Sequence, residues 1–327
     1  MMSMSCAVSV VIPAFNSATT LPRAVRSVLD QDMRDVELLI VNDGSTDATE
    51  QVAQQLATDA RIRVISLPGN SGKPHAMNTA ISEAGGRWIT VLDADDWYAV
   101  HRLSALLEVG ERSGAQLVAD NQYFYDEAAD RVVRTAFPAT LGERRLDKAS
   151  FAAGCDPYSD FDMGMLKPMI RTDFIRDAKL VYRENARLSE DFLYLLDFFA
   201  AGGRGYLTLQ PMYYWRQAFG SISRRWTGTA GGEWRYDFLS GARANAEVLE
   251  AMRRRGEMSL ARLLRRRMRA FNQLHRLQEV SRMRANGAST AQLTTRILRQ
   301  PSIWPLVMQR GLRRFTRRRD FTSPIRA

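Results

Sequence analysis

The sequence predicts an α/β protein with a mostly parallel, Rossmann-like central sheet and a C-terminal helical extension. Three observations lead there. Short β-branched runs alternate with amphipathic helical stretches over the first hundred residues, an order that feeds right-handed crossovers and a parallel sheet. Each apolar run ends in a polar cluster, "PAFN", "NDGS" or "DADD"; ligands bind beyond the carboxyl ends of such strands, so the clusters are expected along one edge, facing a common crevice. From about residue 232 the pattern turns helical and the charge changes sign. Residues 251–327 hold 20 Arg, no Lys and 3 acidic residues, a balance of +17, while the whole chain is +10, which leaves about −7 on residues 1–250. The expected division is therefore 1–230 and 231–327.

The elements follow in order. "VSVVIPAF" is a buried-strand pattern that ends near Pro13. In "TLPRAVRSVLDQ", Leu21, Ala24, Val25, Val28 and Leu29 share one helix face, with Thr19 or Thr20 as cap. "VELLIVNDGSTD" is a strand running into a turn, whose Ser-Thr-Asp segment can cap the helix "DATEQVAQQLA". "IRVISL" predicts a third strand, "KPHAMNTAISEA" a third helix entered through "PGNSG", and "RWITVLDADD" a fourth strand. "AQLVADNQYFY" and "DRVVRTAF" read as antiparallel strands. Residues 140–187 show no clear period. "SEDFLYLLDFFAA" is helical, with Phe192, Leu195, Leu196 and Phe199 on one face, and "GYLTLQPMYYWR" is a further strand.

Composition excludes several classes. At 45% hydrophobic the chain of 327 residues can bury a sizeable core. No run is long enough to span a membrane, and the N-terminus has no secretory h-region, so a cytoplasmic location is expected. Cys6 and Cys155 give no disulfide framework, three His give no Cys/His metal spacing, and both cysteines suit small buried positions.

The chemistry gathers at the strand ends. Asp93 and Asp95 lie two apart after a strand, and side chains at that spacing can point the same way. Two hard oxygen donors suit Mg²⁺ or Mn²⁺, which would neutralise a departing diphosphate; a solvated turn is the alternative. Asp43 can accept hydrogen bonds from a base or ribose, and Pro13, Ala14, Phe15 and Asn16 offer backbone groups to the same ligand. Gly69, Gly72 and Lys73 form a loop suited to close approach by a phosphate.

"VSVVIPAFN", "NDGSTD", "GKPHAMN", "LDADD" and "SED", in this order, resemble family 2 glycosyltransferases of the GT-A fold over roughly residues 7–225. "MGMLKPMIRTDFI" with "SEDFLYLLDFFAAGG" is further similar to bacterial exopolysaccharide enzymes of the succinoglycan type. The resemblance implies a nucleotide-sugar donor, usually UDP-linked. It places Asp43 at the base, Asp93 near the ribose, Asp95 on the metal and Asp191 as general base, with Pro13 to Asn16, Gly72, Lys73, Asn78 and Ala94 along the donor. Inverting transfer needs one carboxylate to take the acceptor proton and charge stabilisation on the leaving diphosphate. For Asp191 the alternative is a first-turn carboxylate favoured by the helix dipole, with Ser189 as cap. Arg216 falls where related enzymes carry a basic residue over the diphosphate; a solvated strand-end arginine is its alternative. Trp97, Tyr213, Tyr214 and Trp215 suit either sugar stacking or core. "ISRRW" departs from the processive synthases, with Ile222 where they carry Gln or Arg, so addition of one sugar per event is expected.

In the tail, Leu260, Leu263, Leu264, Met268, Phe271, Leu274, Leu277 and Met283 keep helical spacing, and this stripe is expected to pack on the catalytic domain. Residues 301–319, with Trp304 and an arginine cluster, read as an anionic-membrane contact. This suits a polyprenyl-diphosphate-linked saccharide acceptor and a location peripheral to the inner face of the cell membrane. Nucleic acid is not expected, because no binding module is present and the front is acidic. The competing functions are a nucleotidyltransferase, which lacks its Gly-rich basic loop here, and a non-catalytic sugar-nucleotide scaffold.

Overall fold

The computed structural model describes residues 6–158, 161–186, 188–217 and 237–308. The first half is β1 (Cys6–Ala14), α1 (Leu21–Leu29), β2 (Val36–Asn42), α2 (Thr49–Leu56), β3 (Ile62–Ser66), α3 (Lys73–Glu83) and β4 (Gly86–Val91). β1 pairs in parallel with β2, from Val8↔Val36 to Ala14↔Asn42, and with β4; β2 pairs in parallel with β3. The continuous apolar runs have a plain cause, since both faces are covered. Val10, Ile12, Leu38 and Ile40 join a core with Leu21 and Val25 of α1, while Val11, Leu39, Val41 and Ile89 join a second with Met77 and Ala80 of α3. Thr20 stands at the start of α1 but caps nothing with its side chain; its hydroxyl donates to the Ser17 carbonyl instead. Asp47 does accept the Thr49 N–H at 2.9 Å as α2 begins.

The second half is β5 (Trp97–Tyr98), α4 (Arg102–Ser113), β6 (Leu117–Asp126), β7 (Arg131–Thr135), β8 (Arg144–Leu146), α5 (Lys148–Gly154), β9 (Met169–Arg171), α6 (Thr172–Asp177), α7 (Glu190–Ala200) and β10 (Gly205–Gln217). β7 is antiparallel to β6, as expected. The sheet order is β3-β2-β1-β4-β9-β6-β10-β5. The stretch 140–187 is more regular than its sequence suggests, and its three-residue strand β9 inserts antiparallel between β4 and β6, with Thr90↔Met169 in register. Arg102, fully buried, ties this region together. It donates to Asp120 at 2.8 and 3.1 Å and to the Lys167 carbonyl at 2.6 Å, and its guanidinium lies 4.2 Å from the Tyr98 ring.

The helical extension is α8 (Phe238–Arg254), α9 (Met258–Ala285) and α10 (Thr290–Leu298). The α9 stripe packs inward: Leu260, Leu263 and Leu264 share a core with Phe151 of α5 and Phe192 of α7. Buried Arg267 pairs with Asp162 and lies 3.6 Å from the Phe192 ring centre. Residue 230, and with it the expected boundary, lies outside the described residues, as does "ISRRW". Of the expected membrane segment, residues 301–308 are described; Ile303 is buried, whereas Trp304 and Met308 are exposed. Among the described residues no helix is long and apolar enough to cross a membrane.

Candidate active site

The strand ends meet as expected and are stitched together by short polar contacts. Asn16 adopts a left-handed backbone (φ 49°). Its N–H donates to Ser45 Oγ at 3.0 Å and its side-chain oxygen accepts from Thr46 N–H at 2.8 Å, joining the ends of β1 and β2. Pro13 and Ala14 close β1, and Phe15 beyond them is 43% exposed. Asp43 is buried, and its two carboxylate oxygens accept the N–H groups of Ser71 and Gly72, each at 2.8 Å. This holds the loop before α3 against the end of β2. The approach is tight: Gly44 has φ +61°, and a Cβ there would lie 2.4 Å from the Gly69 carbonyl carbon. Gly72 also has positive φ, +94°, and delivers Lys73 at the first turn of α3.

Lys73 enters a four-membered ion cluster. Its ammonium lies 2.8 Å from Asp93 Oδ1 and 3.0 Å from Asp191 Oδ2. Lys167 mirrors it, 2.7 Å from Asp93 Oδ2 and 2.6 Å from Asp191 Oδ2. The side chains are between 11% and 25% exposed, so water still screens the cluster. Burial alone would raise both carboxyl pKa values, but Lys167 and then Lys73 outweigh it and hold Asp93 and Asp191 below the usual carboxylate range. Burial disfavours both ammonium charges too, and Asp191 and Asp93 reverse that, so both lysines stay protonated. Asp191 Oδ1, by contrast, is buried with no hydrogen-bond partner.

Ser189 stands at the entry to α7, two residues before Asp191. The alternative reading of Asp191 has Ser189 cap the helix with its side chain, and it does not. It adopts a left-handed backbone, φ 75°, with no side-chain cap bond. A non-glycine residue pays about 1–3 kcal/mol for such a conformation. Glu190 is pushed up to about 7, by burial first and then by the Asp191 charge. Behind Asp191 is a cavity of about 20 Å³ lined by Met77, Ile81, Tyr182 and Tyr194 among others.

The remaining acids after β4 divide their work. Ala94 is buried between half-buried Asp93 and exposed Asp95. Asp96 is buried and accepts the Tyr213 hydroxyl at 2.6 Å and the Arg216 N–H at 2.8 Å, fastening β10 to this turn. Burial, then Asp95 and Asp93, push its pKa well up. Asp95 is open to solvent at the crevice mouth yet ringed by protein; that crowding, then the Asp93 charge, raises its proton affinity. Among the described residues no cluster of three or more His, Cys, Asp or Glu can hold a metal by itself. A single open carboxylate amid excess negative charge fits a cation held jointly with phosphate and water oxygens.

Other expected residues are engaged with protein. The Arg216 guanidinium forms a two-pronged pair with Glu127, Nε–Oε1 2.6 Å and Nη2–Oε2 2.7 Å. Asn78 brackets the Tyr182 backbone, donating to its carbonyl at 2.9 Å and accepting its N–H at 2.8 Å, which brings the Tyr182 segment beside α3. Trp97 stacks on Tyr214 with Arg23 3.2 Å over its ring, and Tyr213 is buried, so these two belong to the core. Lys167 was missed by sequence reasoning. Its signal was its place in "MGMLKPMIRTDFI"; two residues on, β9 pairs in register with Thr90.

Residues 9–167 match the sequence model of Glycosyl transferase family 2. The succinoglycan biosynthesis protein ExoO of Rhizobium meliloti is 32% identical over 228 residues, covering 66% of this chain and 62% of that protein. ExoU of the same organism is 34% identical over 191 residues, covering 57% and 54%. The chain thus spans less than two thirds of the length of these relatives. Among solved structures, residues 1–349 of S. aureus TarS in complex with UDP-GlcNAc align with a TM-score of 0.57 at 18% identity, over 74% of this chain and 66% of that one. At that identity the likeness speaks for the fold, which is GT-A.

Proposed function

We propose that the chain is an inverting, non-processive glycosyltransferase of family 2, a reading supported by the family match over residues 9–167 and by the GT-A fold. It moves one sugar per event from a nucleotide sugar, UDP-linked, to a saccharide carried on a polyprenyl diphosphate, in exopolysaccharide assembly. The observation that carries this reading is Asp191: one carboxylate oxygen is held by two lysines and the other is buried without a partner.

In that reading the acceptor hydroxyl donates to Asp191 Oδ1 and its oxygen attacks the anomeric carbon. The bond from that carbon to the diphosphate breaks, the leaving oxygen keeps the electron pair, and Asp191 takes the proton. Lys73 and Lys167 face the charge that develops on the diphosphate. Asp43, which also holds the loop before α3, would stand at the base of the nucleotide. Mn²⁺ or Mg²⁺, held by Asp95 together with the diphosphate, would add Lewis-acid neutralisation of the leaving group. The exposed Trp304 and Met308 beside an arginine-rich tail support peripheral contact with an anionic leaflet, where a lipid-linked acceptor would lie.

Release of nucleoside diphosphate is the test, measured over a panel of sugar nucleotides with Mn²⁺ or EDTA and lipid-linked saccharide extract. Release from one donor, abolished by EDTA and reduced about 10²–10⁴-fold in Asp191→Asn, is expected. Equal turnover by Asp191→Asn would refute the base assignment and favour a scaffold.

A further inference from the structure

The lysines between Asp93 and Asp191 face two incompatible demands. A carboxylate gripped by two ammonium groups is a poor base, yet a diphosphate entering this crevice needs cations. Arg216 is committed to Glu127, and Asp93, Asp95 and Asp96 already crowd the turn after β4. Among the described residues, the positive charges beside Asp93 and Asp191 are Lys73 and Lys167. Of these, Lys167 makes the shorter contact with Asp191, 2.6 Å against 3.0 Å. Its main chain is immobilised, because the carbonyl accepts buried Arg102 at 2.6 Å and Pro168 follows. What can move is the ammonium at the end of a flexible four-carbon stem.

We propose that Lys167 is a positioning residue that ties the base to the donor. Without donor it helps hold Asp191 neutralised; when a nucleoside diphosphate enters, its ammonium turns to the phosphate oxygens and leaves Asp191 paired with Lys73 alone, a stronger base for the acceptor proton. This rests on the reading of Asp191 as base. Asp191 is also faced by Lys73 at the start of α3, Asp93 after β4, Tyr182 ahead of α7, and Glu190 on α7 itself.

The experiment uses the full chain, UDP titration by calorimetry, and the pH profile of kcat/KM for nucleoside diphosphate release, which reports the free enzyme. Lys167→Gln should weaken UDP about tenfold or more and move the acid limb up by about one pH unit, since an opposite charge at this range shifts a carboxylate by that much. Lys167→Arg, which keeps the charge, should hold both near wild type, which a purely structural role does not require. Asp191→Asn supplies a second arm, read by binding alone: with that ion pair gone, Lys167 is held by Asp93 alone and UDP should bind several-fold tighter. An acid limb or a UDP affinity unchanged in Lys167→Gln overturns the proposal, and so does unaltered UDP affinity in Asp191→Asn. Wild-type protein that binds no UDP would instead overturn the donor reading itself.

Discussion

Gly44→Ala tests the join between the ends of β2 and the loop before α3. Two costs are visible. The backbone sits at φ +61°, a left-handed conformation that costs a residue with a Cβ about 1–2 kcal/mol. The new methyl would lie 2.4, 2.5 and 2.6 Å from Gly69 C, Gly69 Cα and Asn70 N. All three are backbone atoms, so no rotamer change relieves the clash, and the loop must retreat by about an ångström; overpacking of this kind costs about 1–3 kcal/mol. The retreat also stretches the two 2.8 Å bonds from Ser71 and Gly72 to Asp43. A loss of about 3–4 kcal/mol is expected, which at roughly 2 °C per kcal/mol in a protein of this size lowers Tm by about 6–8 °C. UDP affinity should fall as well, because the same loop delivers Lys73. Thermal unfolding by circular dichroism and calorimetric UDP titration measure both. Gly69→Ala is the control, since a Cβ there meets nothing within 4 Å. A Gly44→Ala protein that melts and binds like Gly69→Ala would refute the reasoning.

Arg102→Leu leaves Asp120 buried without its partner and should cost about 3–5 kcal/mol in urea unfolding, while adding Asp120→Leu should recover much of it. Asp96→Asn keeps the shape but turns an amide N–H₂ toward one of two donors, the Tyr213 hydroxyl or the Arg216 N–H. A loss of about 1–3 kcal/mol is expected from the same assay, and no loss would show that β10 is not fastened there. Glu190 retains its proton up to about 7, above its unfolded value near 4.3. Folding is therefore favoured by this group at low pH, and that contribution is lost as pH rises from about 4.5 through 7. Urea midpoints should show Glu190→Gln gaining on wild type between pH 5 and pH 8; parallel pH curves would contradict the burial of Glu190.

Much of the site was legible because charge at the end of an apolar run is conspicuous. "NDGS" and "LDADD" announce themselves in that way, and the structure brings them to one edge of the sheet. The roles of individual groups were less legible. Asp96, the last acid of "DADD", fastens β10 through Tyr213 and Arg216, which nothing in the run of acids indicates. Ser189 looked like a helix cap, and its left-handed backbone is invisible to propensity. Arg216 faces Glu127, a partner far away in sequence that no local pattern links to it.

The sequence by itself determined the parallel sheet, the alternation of its first strands and helices along the chain, and the edge where polar residues gather. These follow from hydrophobic period and turn chemistry, which act over a few residues. It also determined that α9 has an apolar stripe, but not what the stripe covers. Tertiary structure alone decided that Lys167 stands beside Asp93 and Asp191. That contact depends on a three-residue antiparallel strand, too short to carry a period, slotting between β4 and β6 under the grip of buried Arg102. Register between segments distant in the chain is set by packing, and packing is a property of the folded whole.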